Sequence, residues 1–125
     1  MSTPNLGITH LAASQNQKEV TVNAAMDAFD GAISDVFSQP MADADQTPSS
    51  ANALTHAVIE CTGALTADRH LILPNSKKLY GVNNKTTGSH NIIVKTASSS
   101  ATVSIAAGAK WVYCDGANNF TQIGS

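Results

Sequence analysis

This sequence predicts a mainly β fold with an N-terminal helix, and three observations carry the prediction. Val22, Met26, Phe29, Ile33 and Val36 follow one another at spacings of 4, 3, 4 and 3, which sets all five on one stripe of an α-helix. From Leu54 onward the chain changes to short β-branched runs separated by turn residues, the pattern of an all-β unit. Only 5% of the 125 residues are aromatic and 13% charged, whereas Ala, Ser, Thr and Asn abound, so few large side chains are present to fill a core. A lone domain of such composition is marginal; stacking copies or repeats buries enough small side chains to compensate.

Taken in order, residues 1–10 contain Pro4, Asn5 and Gly7 and read as an extended arm leading into Leu11. The helix is expected over 14–37 in two pieces, with Ser14 and Gln17 capping a short first turn and Thr21 the N-cap of the part beginning at Val22. In heptad terms Met26 and Ile33 take a positions, and Val22, Phe29 and Val36 take d positions. The e and g residues, Asn23, Ala25, Asp30 and Ala32, offer no complementary charges, so two readings stay open: a helix lying on its own domain, or a bundle between subunits. Gly31 falls on the outer face of the stripe and costs about 1 kcal/mol relative to Ala, so packing must hold this helix.

Residues 38–53 hold two prolines and no period and read as a linker. It divides the chain into an arm-and-helix attachment region, 1–37, and a β domain, 54–125. Seven short strands are expected near 55–62, 70–73, 79–83, 91–96, 102–106, 110–114 and 120–123. Asp115-Gly116 is a tight-turn signal, so the domain is expected to be a small antiparallel one. Ile92 and Val94 share one face of their strand, as do Val103 and Ile105, but little else of bulk stands beside them. Such thin faces suit one wall of a multi-chain β structure better than a sealed sandwich.

Charge is unevenly placed. Residues 1–50 set Lys18 against six acids, a formal −5, and residues 51–125 set six basic residues against Glu60, Asp68 and Asp115, a formal +3. Beyond Lys77-Lys78 there is no basic cluster and no aromatic interleaving, which argues against a nucleic-acid partner. The first ten residues lack the basic and apolar regions of a secretory signal, and no run approaches the ~20 apolar residues of a membrane span, so a soluble, non-exported chain without membrane insertion is expected. Cys61 and Cys114 lack metal spacing and read as reduced, half-buried thiols, able to pair only if their strands are neighbours. In that setting the two glycosylation sequons, at Asn84 and Asn119, carry no weight.

His10, His56, His70 and His90 are spread without ligand spacing, so no metal or other cofactor is expected. Asp27 and Asp30 read as a solvated helix face, and no nucleophile elbow, SxxK pair or phosphate loop is present; the chain is not expected to be an enzyme. The aromatics of the β region allow one binding role. Trp111 and Tyr113 are candidate glycan contacts, against the plainer reading that they and Phe120 are the hydrophobic bulk of the C-terminal hairpin.

Two stretches resemble known proteins. Residues 6–33 (LGITHLAASQNQKEVTVNAAMDAFDGAI), with QNQKEVTVN at 15–23, resemble the N-terminal motif of a family of tailed-bacteriophage and prophage virion proteins. Residues 65–120, from LTADR through IIVKT to WVYCDG, resemble the β module common in phage fibre and tail proteins. The resemblance implies a virion structural protein, assembled in the host cytoplasm, whose β part forms a homotrimer. Its N-terminal part would attach to a capsid, neck or tail protein, with Leu11, Val22, Met26, Phe29, Ile33 and Val36 as the apolar docking surface. The chain is much shorter than a long fibre and has no shaft repeat, which favours a small fibre, spike or decoration component; a carbohydrate-binding module for host glycans is the alternative.

Overall fold

The structure is a computed structural model that describes residues 2–98 and 101–124. The first residues fold back rather than extend. Thr3 N donates to the Ile8 carbonyl, Ser2 bridges Thr9, and Ile8 is buried beneath the turn. One helix follows, α1 (Lys18–Ser34), in place of the two pieces expected. Its N-cap is Gln17, in a left-handed conformation and without a side-chain cap, while Thr21 lies inside the helix and is bonded to the Gln15 amide.

The orientation of α1 is set by its small residues. Thr21, Ala25, Ala28 and Ala32 are half-buried and Gly31 is buried, so the small face lies inward and the large apolar stripe is left exposed, with only the N-terminal arm beside it. Gly31 is therefore not on an outer face: a Cβ there would stand 2.5 Å from the Thr55 carbonyl oxygen. Of the two open readings, packing of the stripe on its own domain is the one the structure does not adopt.

Asp35 turns extended, and β1 (Val36–Pro40) begins one residue later. The segment expected as a linker is part of the fold. It contributes the rest of β1, the fully buried Met41, and the short helix α2 (Ser50–Leu54), capped by the Ser49 hydroxyl accepting from Asn52 N. β2 (Val58–Thr62), β3 (Arg69–Ile72), β4 (Lys78–Asn84), β5 (Ile92–Lys95), β6 (Val103–Ile105), β7 (Gly108–Cys114) and β8 (Phe120–Ile123) fall where the seven strands were expected.

Two sheets result, one in the order β1-β2-β4-β7-β8 and the other β3-β5-β6. Antiparallel pairing holds for β4–β7, β5–β6 and β7–β8, but β1–β2, β2–β4 and β3–β5 are parallel. The parallel pairs arise because the chain winds. Val36, Val58 and Gly81 are register partners on successive turns, and Gln46, Leu71 and Val94 are partners on the opposite sheet. Each turn takes 22 to 25 residues; β6 and β7 then run against β5 and β4, β8 turns back along β7, and the winding ends.

The two sheets close a core within one chain. Ile59, Tyr80, Val82 and Val112 from the first meet Leu71, Ile92, Val94 and Ile105 from the second, all fully buried. The thin faces expected to need other chains are thus sealed on the inner side by medium-sized β-branched residues stacked turn upon turn.

Candidate functional site

Carboxylates stitch the turns together. Asp43 accepts from Thr66 N at 2.9 Å, Asp45 from His70 N at 2.8 Å and Asp68 from Asn91 N at 2.8 Å, so each aspartate binds a backbone donor on the next turn. Asp43 also accepts from the Thr66 hydroxyl and, at 3.0 Å, from Arg69 Nη2. The Thr66 bonds above all, with Arg69 adding to them, hold the Asp43 carboxyl down to about 2; the His70 backbone bond likewise lowers Asp45. His70 and His90 rest beside Asp45 and Asp68, and His56 Nδ1 lies 2.6 Å from the Asn52 carbonyl oxygen. These histidines serve the scaffold. Among the described residues no group of three or more His, Cys, Asp or Glu is placed to hold one metal ion.

Both thiols are buried and free, on β2 and β7, which β4 separates. Burial pushes the Cys61 thiol up to about 12, so it is inert at neutral pH. The Tyr80 hydroxyl is buried with no hydrogen-bond partner among the described residues. Lys78 covers that ring, with Nζ 4.2 Å from its centroid and bonded to the His56 carbonyl at 2.8 Å.

Two apolar surfaces lie outside this closed scaffold. The first is the α1 stripe, exposed from 37% at Val22 to 78% at Ile33, with Met26 and Phe29 between these values; Val36, expected to extend the stripe, lies on β1 instead, because the backbone turns extended at Asp35. Leu11 is exposed beside it, and arm and helix enclose an open hollow of about 310 Å³ lined by Ile8, Leu11, Val22, Met26 and Phe29. Asp27 and Asp30 are exposed on the same helix.

The second surface is the outer face of the five-stranded sheet. Val36, Val58, Gly81, Trp111 and Ile123 are successive register partners, so one row crosses all five strands. Leu79 and Tyr113 form a second pair beside it. Gly81 makes room for the tryptophan: a Cβ there would meet the Trp111 ring at 3.3 Å and Val58 at 3.1 Å. Trp111 remains 51% and Tyr113 38% exposed, whereas Phe120 is buried, so of the three aromatics only Phe120 is hairpin bulk. The next row is polar: Asn83 donates to Glu60 at 3.3 Å, and Lys85 pairs with Glu60 at 3.7 Å.

The α1 stripe was legible from its spacing. The sheet row was not, because strand alternation marks which residues share a face but not which strands adjoin; Leu79 and Ile123 carried no signal of their own.

No protein-family model, curated protein or solved structure matches this chain. Among the described residues no helix is long and apolar enough to cross a membrane.

Proposed function

We propose that this chain is a non-enzymatic structural component of a tailed-phage virion, a small trimeric fibre, spike or decoration protein anchored through its N-terminal part to a capsid, neck or tail protein. The observation that supports this reading best is the exposed α1 stripe on a chain that already seals its own core. An apolar stripe left in water is unfavourable unless a partner covers it. In the proposed mechanism Leu11, Val22, Met26, Phe29 and Ile33 enter an apolar groove on the anchoring protein, and buried area sets the strength of attachment. The charge Phe29→Asp places on the stripe is expected to abolish incorporation into virions while leaving the β core folded. Normal incorporation of that variant contradicts the reading.

The exposure of Trp111 favours a second reading, a carbohydrate-binding module. The indole would stack on a sugar ring while Glu60, Asn83 and Lys85 bond its hydroxyls. Trp111→Ala is then expected to lose glycan binding without loss of fold.

A further inference from the structure

We infer that the outer face of the five-stranded sheet is the surface through which copies of this chain associate, while the α1 stripe is left for a different partner. This rests on the self-associating β domain proposed above and names the surface responsible. Charge separates the two apolar surfaces. Glu19, Asp27 and Asp30 lie on α1 and Asp35 ends it, with Lys18 the helix's one basic residue, so two such helices side by side oppose like charges. The sheet row carries no charge, and Glu60 on its border is already paired with Lys85. Identical neutral faces gathered around a threefold axis meet without repulsion; identical acidic helices do not.

The neighbours of Trp111 identify the kind of occupant. Val36, Leu79 and Ile123, each about half exposed, offer no hydrogen bonds to sugar hydroxyls and suit another apolar protein face. Together with Trp111 and Tyr113 they expose on the order of 450 Å² of apolar surface, and since interfaces are about 60% apolar this matches a contact near the usual ~800 Å² per partner.

Trp111 is the single tryptophan of the chain, so the proposed interface carries its own probe. Tryptophan emission and acrylamide quenching are read across a dilution series, with sedimentation mass measured on the same samples. The expected result is that mass falls towards 12.9 kDa on dilution while emission shifts red and quenching rises in step. Ile123→Arg and Leu79→Arg, on two different strands and both at exposed positions, are expected to stay at single-chain mass with an exposed tryptophan and an unchanged far-ultraviolet dichroism spectrum. Phe29→Asp is expected to follow the wild type. An assembly whose tryptophan stays quenchable overturns the inference, as does a chain that remains single at every concentration. A tryptophan protected by added oligosaccharide at single-chain mass overturns it in favour of the sugar reading. None of these readouts depends on virion incorporation, so the anchoring role and the sheet interface fail separately.

Discussion

At the scale of single residues, two buried or bonded groups give direct tests. Tyr80 buries a hydroxyl with no partner among the described residues, and an unpaired buried donor is costly. Tyr80→Phe keeps the ring beneath Lys78 and is expected to raise stability by about 1 kcal/mol in urea unfolding. Asp43 contributes in acid. Its folded carboxyl titrates near 2 instead of the usual 3.8, so the unfolded chain binds more protons between those values. The contribution is complete above pH ~4 and is lost as pH falls towards 2. A pH series of melting temperatures is expected to drop through that window and to drop less steeply in Asp43→Asn. None of these bonds was legible beforehand, since Asp43 and Asp45 sat in a stretch with no period, 23 and 25 residues from the donors they bind.

Among elements, α1 shows where periodicity informs and where it misleads. Its spacing revealed the stripe, but spacing cannot tell which face of a helix the chain covers. Small residues decided that, because Gly31 permits an approach to the Thr55 carbonyl that no other residue allows. Propensity alone would have Gly31→Ala stabilise the helix by about 1 kcal/mol. The 2.5 Å contact predicts the reverse, a net loss of about 1–3 kcal/mol measurable by thermal unfolding, as the helix end is pushed off Thr55. β1 was hidden for a related reason: Val36 continues the helical spacing, and only the extended backbone at Asp35 separates the strand from the stripe. The Asp115-Gly116 signal was right for its own turn. Asp115 accepts from Ala117 N and Asn119 N there, joining β7 to the antiparallel β8. It said nothing about strands 22 or 23 residues apart, which pair in parallel.

For the whole molecule, the seven later strands were legible from β-branched runs, but the winding was not. Val36, Val58 and Gly81 occupy one register position with dissimilar neighbours, so the turns repeat in space without repeating in sequence. That winding explains how so few large residues seal a core, since each turn adds a layer of Ile, Val and Leu against the last. What remains exposed is then informative: a helix stripe and a sheet row, each apolar, on a molecule that needs neither to close its interior. In the proposed function and the further inference both are assembly surfaces. The most direct test is the solution mass of the purified chain by light scattering over a range of concentrations. A particle of about three times 12.9 kDa is expected at high concentration. A particle of single-chain mass throughout would contradict this expectation.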